Sequence, residues 1–360
     1  ASILSDQRLL ALLGSRLLAE LDVDAPDSFR DLIAADVARN QARGLALEAL
    51  SAELAARLDA DEVPVLVLKG PLMARRLHGD VGLRASNDVD LLVNAEDLPR
   101  AASALEPLGY AKANDTVVRS HGLPDMHDTL KSTEADLPRI ELHWRVHWYE
   151  EEFSRELLAR SRPDTAGLRQ PAPADELAML LLVYARDGLY GLRAPADIAA
   201  WWARHGEGAR PLDDHWTAHP RLRRPLAAAA IAADRVVGVP ARALVPERAL
   251  GWTTPRLAAR LANWSQVGDL DQLAANLGLV DALLSPPAEL RHFVRRRLYV
   301  SRREIEDMYD LKPSARLRVG AMRLVHAPKL ALRYAAGLWG ARRLEAEPPS
   351  QPTTVSAAPG

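Results

Sequence analysis

The sequence predicts an α+β fold on three observations. Apolar residues recur at helical spacing over residues 5–60; they do so again from Pro173 to about Arg343; and between these regions short β-branched or alternating runs meet Gly/Pro turns. With 360 residues and 48% hydrophobic content, the chain can bury one large core or two smaller ones. The expected organisation is a set of N-terminal helices (1–60), a small mixed-sheet unit (61–150), a larger helical region (151–344) and a Pro/Ser/Thr/Ala tail (345–360). That tail has too few large apolar groups to fold.

Taken in order, "ASILSDQRLLALLGSRLLAELD" interleaves charges with apolar residues and predicts an amphipathic helix rather than a signal segment. "DEVPVLVLKGPLMARRL" predicts strand, turn and helix, because the β-branched run Val63 to Leu68 meets Lys69-Gly70-Pro71, and Pro71 suits a first helical position. "DVGLRASND" reads as a polar loop feeding the strand "DVDLLV". In "NAEDLPRAASALEPLGY" Asn94 is a candidate N-cap and Gly109 a C-terminal stop. The alternation in "RIELHWRVHW" predicts strand within 111–150, with Ile140, Leu142 and Trp144 facing the core and Glu141 and His143 facing solvent or a cleft.

Composition excludes several classes of function. There are no cysteines, so disulfides, thiolate metal sites and cysteine nucleophiles are absent, as suits a reducing cytoplasm. No window approaches the roughly 18 consecutive apolar residues of a membrane span, and no membrane partner is expected. The net charge of −2 is uneven, since Glu289–Arg343 holds 14 Lys+Arg against 5 Asp+Glu. Such a basic segment either packs on the acidic body or meets phosphate, an acidic peptide or nucleic acid, and the packed reading is preferred because no nucleic-acid motif accompanies it.

The chemistry concentrates in "RASNDVDLLV". On a strand Asp88 and Asp90 share one face, ~7 Å apart, and repel unless a positive charge lies beside them. A divalent cation is the simplest solution, and with Glu141 from a neighbouring strand an oxygen-only set favours Mg²⁺ or Mn²⁺ over Zn²⁺. Phosphate is the usual partner of such a metal. Lys69 and Gly70 at a helix start offer backbone N–H groups, close approach and a charge, and Arg84 offers a two-pronged clamp. The rival readings are structural: Asp88 and Asp90 ending a loop, Arg84 pairing with Asp88, and Lys69 in solvent.

As a set, "LKGPLM…RASNDVDLLV…IELHW" resembles an uncharacterised nucleotidyltransferase-like family of the DNA polymerase beta superfamily. The resemblance covers about Val63 to Trp148 and extends more weakly to "LRAPADIAAWW". It implies a nucleotidyltransferase core in which Asp88, Asp90 and Glu141 bind two metal ions while Lys69 and Gly70 lie near the triphosphate. Asp90 and Glu141 would hold the first metal, with Asp88 bridging both. The chain departs from the superfamily in having Lys69-Gly70 where Gly-Ser is usual, and in a long gap from Gly70 to Asp88.

The implied reaction is attack by an acceptor hydroxyl or phosphate on the α-phosphorus of a nucleoside triphosphate, with pyrophosphate leaving. The acceptor would be a small molecule or a peptide, as in natural-product tailoring; the Arg- and Ala-rich, Lys-poor composition suggests a GC-rich bacterial genome. The alternatives are a toxin-like transferase acting on tRNA or protein, and a catalytically silent nucleotide- or peptide-binding module. His143 is a candidate base or an orienting group for Glu141, and Asp197 a nucleotide contact or a helix cap. Tyr184, Tyr190 and Trp201 are candidates to stack a base or to fill the core.

Overall fold

A computed structural model describes residues 4–247 except 6–7, 21–24, 114–125, 134–136, 149, 165–166 and 207–210; beyond 247 it describes 284, 291 and most of 300–346. The N-terminus is not one amphipathic helix. A π-helical turn, Leu10–Gly14, runs into a short helix α1 (Ser15–Glu20). Leu9, Leu10, Ala11 and Leu12 are consecutive and all buried, which no single-stripe surface helix allows. The long helix α2 (Asp27–Ala60) follows, rich in Ala, Leu, Arg and Glu, and it buries Leu47, Ser51, Leu54 and Leu58 at i, i+4, i+7 spacing.

The mixed unit has five strands: β1 (Leu66–Val67), β2 (Val89–Leu92), β3 (Tyr110–Lys112), β4 (His127–Ser132) and β5 (Ile140–His143). Their order in the sheet is β1-β2-β5-β4-β3. The β2–β5 pair is parallel; β1–β2, β5–β4 and β4–β3 are antiparallel. Helices α3 (Pro71–His78) and α4 (Leu98–Leu105) connect the strands, and Pro71 stands at the start of α3 as expected. Asn94 and Gly109 also sit at element ends. Asn94 opens a 3₁₀ turn, and Gly109 closes another at φ 80°. The alternating run "RIELHWRVHW" keeps strand geometry only to His143.

Alternation across the sheet decides what each face meets. Val89, Leu91, Ile140, Leu142 and Leu130 join Leu47, Leu54 and Leu58 of α2 and Ala101 and Leu105 of α4 in one core. Leu66, Leu68 and Leu92 face the other way, into a core built by Phe153 of α5 (Glu152–Arg160), α6 (Pro173–Arg186), α7 (Arg193–His205) and α9 (Arg223–Val237). Every residue of α6 from Asp175 to Ala185 is buried, so this helix forms the spine of the second layer. Among the described residues, short helices α8 (Asp213–Ala218) and α10 (Ala241–Leu244) and a long α11 (Arg316–Ala346) complete the helical part. A two-stranded ribbon, β6 (Arg162–Pro163) with β7 (Arg169–Gln170), is too short to leave a periodic trace in the sequence. Most of the basic run "RHFVRRRLYVSRR" and all of the tail beyond Ala346 lie outside the described residues. No described helix is long and apolar enough to cross a membrane.

Candidate active site

Asp90 and Glu141 lie side by side because β2 and β5 pair in parallel with Asp90 opposite Glu141. Both point away from the α2 side, toward α6 and α7. They converge on one imidazole nitrogen: His143 Nε2 lies 3.0 Å from Asp90 Oδ1 and 3.4 Å from Glu141 Oε2. Two carboxylates around Nε2 place the proton there. His143 is 1% exposed, so it lies inside the site rather than toward solvent.

Lys69 Nζ reaches the same Asp90 oxygen at 3.2 Å. Burial opposes ionisation of Asp90, yet the Lys69 charge and the His143 hydrogen bond outweigh it and hold the carboxyl well below its usual range. Burial likewise opposes ionisation of Glu141, and the hydrogen bond from His143 brings its pKa below the ordinary value. Asp88 stands just before β2, where Arg139 Nη2 binds its Oδ2 at 3.0 Å and lies 3.5 Å from Glu141 Oε1. The carboxylates are therefore compensated by Lys69 and Arg139, two cations that occupy the electrostatic role a divalent ion would take.

The turn ahead of α3 is set by Gly70, whose φ of 83° and ψ of −148° fall in a region essentially restricted to glycine. A Cβ there would meet nothing within 4 Å, so open space lies in front of the first turn of α3. Met73 and Lys69 line one wall of a cavity of about 290 Å³. Arg84, Arg193, Tyr190 and Asp197 line another, and Arg8 from the N-terminal segment reaches it as well.

Arg84 pairs with Asp197 and not with Asp88. Its Nε lies 3.0 Å from Asp197 Oδ2 and 3.1 Å from Oδ1, and His78 Nε2 lies 2.9 Å from Oδ1. Asp197 is 3% exposed and sits in the second turn of α7, whose N-cap position belongs to Leu192, so it ties α7 to α3 and does not cap a helix. Arg193 makes no hydrogen bond or ion pair among the described residues, and the charge of Arg84, then burial, lowers its pKa. Two guanidiniums crowd one cavity, an arrangement that favours an anion between them.

A second grouping lies on the same sheet face. β4 runs antiparallel to β5 with His127 opposite His143, and their rings are 4.8 Å apart. Among the described residues, His127, Glu141 and His143 are the one trio of His, Asp or Glu whose ligand atoms all lie within 4.8 Å of one another. Asp88, Asp90 and Glu141 do not form such a trio. Burial, then the neighbouring His143, lowers the pKa of His127 to about 4, so its ring is neutral near pH 7.

A family described as uncharacterised nucleotidyltransferase matches residues 1–238. The chain belongs to this family. No curated protein and no solved structure matches it. The match takes in the N-terminal helices, the sheet and the helices through α9, well beyond the stretch that carries the motifs. All of the site lies within it.

Several residues of the site were passed over in the sequence of this family member. Arg139 shares the strand parity of Glu141 and His143, so it was readable in "RIELHW". His127 depends on the β4–β5 register, which no local pattern specifies. Arg8 and Arg186 reach the site from outside the motifs, whereas Arg193 lies in "LRAPADIAAWW"; the Arg186 side chain is 11% exposed and interacts with Asp90 and Glu141 through its charge. Tyr184 and Trp201 are core residues, whereas Tyr190 faces the cavity.

Proposed function

We propose that this nucleotidyltransferase transfers a nucleoside monophosphate from a nucleoside triphosphate to a hydroxyl or phosphate of a small-molecule or peptide acceptor, with Asp88, Asp90 and Glu141 binding Mg²⁺ or Mn²⁺. The observation that carries the reading is the junction of two opposite charge fields: Asp90 and Glu141 on the sheet, and a cavity lined by Lys69, Arg84 and Arg193 beside them. An anionic, metal-bound substrate matches both halves.

The donor set fits a divalent cation because Asp90 and Glu141 already converge on a single point, His143 Nε2, and are held ionised, Asp90 by Lys69 and His143 and Glu141 by the His143 hydrogen bond. A metal bound to these oxygens supplies charge neutralisation on the triphosphate and a lowered pKa for the acceptor. The chain's own groups do the rest. Gly70 leaves room for phosphate oxygens at the first turn of α3, where free N–H groups and the helix dipole favour an anion. Lys69 exchanges Asp90 for a phosphate oxygen. Arg84, held by Asp197 and Ser86, lines the cavity, and Arg193 adds a second cation to it. His143 orients Asp90 and Glu141. An acceptor hydroxyl gives its proton to solvent, and its attack on the α-phosphorus forms one P–O bond and breaks the bond to the β-phosphate oxygen, releasing pyrophosphate.

The test is pyrophosphate release with labelled triphosphates, Mg²⁺ or Mn²⁺ and a panel of acceptors. Asp90→Asn is expected to lower turnover at least about 100-fold, because it removes a carboxylate that would hold the metal, and Asp88→Asn to lower it as well. Turnover unchanged in both variants overturns the reading.

A further inference from the structure

We propose that His127, Glu141 and His143 form a nitrogen-containing metal site that takes a borderline divalent transition ion, Zn²⁺ or Co²⁺ in preference to Mg²⁺, next to the carboxylate Asp90. The proposal rests on the metal-dependent reading and adds to it a nitrogen-bound ion that shares Glu141 with the oxygen site of Asp88 and Asp90. It is tested without nucleotide, so that its failure and the failure of nucleotidyl transfer are separate results.

Strand register builds the site. The antiparallel β4–β5 pair sets His127 across from His143 and Thr129 across from Glu141, so two imidazoles and one carboxylate share a sheet face. Their ligand atoms gather within 4.8 Å, close enough for small side-chain adjustments to bring them around one ion. The observation that points to a ligand is independent of this spacing: Nδ1 of His127 and Nδ1 of His143 are both buried with no hydrogen-bond partner. Nδ1 of His78 and of His215 is also unpaired, but among the described residues only here do two such nitrogens belong to adjoining rings beside a carboxylate. Native proteins leave few buried polar atoms unpaired, since each costs about 1–3 kcal/mol. Two orphaned imidazole nitrogens in neighbouring rings, beside an ionised carboxylate, fit a metal that binds nitrogen.

Ligand chemistry then selects the ion. Mg²⁺ binds oxygen and keeps its waters, whereas imidazole suits Zn²⁺, Co²⁺ and their neighbours in the first transition row. Two His with one carboxylate is also the ligand set of an open zinc site with a position left for water or substrate. Asp90, hydrogen-bonded to His143, would act as the outer partner that orients a ligating imidazole.

The experiment uses the full chain stripped with a chelator and titrated separately with CoCl₂, ZnCl₂ and MgCl₂. Visible absorption reads Co²⁺ coordination, and calorimetry reads all three ions. The expected result is one Co²⁺ per chain with visible bands, displaced by Zn²⁺ and resistant to a large excess of Mg²⁺. His127→Ala, checked for folding by thermal unfolding, is expected to weaken Zn²⁺ binding by about 100-fold or more, beyond the 10–100-fold of an outer-partner loss. In the unmutated protein, Zn²⁺ is expected to shift the ring ¹⁵N resonances of both histidines, a readout that does not depend on the variant folding. Equal competition by Mg²⁺, unchanged Zn²⁺ affinity in His127→Ala, or unmoved ring resonances would each overturn the proposal, leaving an ordered water as the partner of the two nitrogens.

Discussion

Arg193 separates function from stability more cleanly than any other residue of the cavity. It has no ion-pair partner among the described residues, and its nearest strong influence is the repelling charge of Arg84. Repulsion from Arg84 and burial outweigh the attraction of Asp197 and Asp187, so a cation kept in such a place adds little to folding and its value lies in what enters the cavity. Arg193→Ala is expected to leave the melting temperature unchanged or raise it, while weakening triphosphate binding by about 10- to 100-fold, the equivalent of one lost hydrogen bond between charged groups. Calorimetric titration of a non-hydrolysable triphosphate, beside a thermal melt, checks both halves. A fall in stability with unchanged affinity would make Arg193 a structural residue.

At the scale of elements, the decisive contact is between α2 and the 3₁₀ turn Val81–Leu83 that leads to Arg84. The turn presses on the helix through two missing side chains. A Cβ on Gly44 would lie 3.1 Å from Val81 Cβ, and one on Gly82 would lie 2.9 Å from the Val37 carbonyl oxygen. Backbone cannot move aside as a flexible side chain does, so Gly82→Ala is expected to destabilise by about 1–3 kcal/mol, read by urea unfolding. Asp197 holds the same turn from the other side. Asp197→Asn leaves Arg84 buried beside Arg193 without its carboxylate, and a loss of about 3–5 kcal/mol is expected from the same measurement.

These contacts mark what the sequence could and could not reveal. Pro71 after Gly70, the alternation of Val89 and Leu91 with Asp90, and Gly109 were legible because each is a local rule written in adjacent residues. Asp197 looked like a helix cap because its true partners, Arg84 and His78, lie more than 100 residues away. The pairing of Arg84 with Asp197, in place of the rival Asp88, was hidden for the same reason. His127 gave no signal at all, since its neighbour His143 is chosen by strand register. Local chemistry was readable; pairing across layers was not.

At the scale of the whole molecule, the sheet and the helical layer are joined by ionisable groups buried in one protonation state, and this makes stability depend on pH in two stages. Burial, then the charge of Arg186, lowers the pKa of His147 to about 3 from about 6.5. Its folded form is thus neutral where the unfolded chain takes up a proton. The unfolded state binds more protons over that interval, so stability is full above about pH 6.5 and is lost as pH falls toward about 3. Asp90 and Asp197, whose carboxyls are held below their ordinary value despite burial, add a second loss that begins only below the usual carboxylate pKa of about 3.9. Urea unfolding of the metal-free protein is therefore expected to show a declining limb that starts between about pH 6 and 7, well before any carboxylate titrates. His147→Gln, which cannot take up a proton, is expected to be less stable than the parent at pH 7.5 but to lose stability less steeply between about pH 6 and 4. His127, lowered to about 4 in the folded form, adds to the same limb, so two parallel curves across that interval would remove His147 and leave His127 as its source.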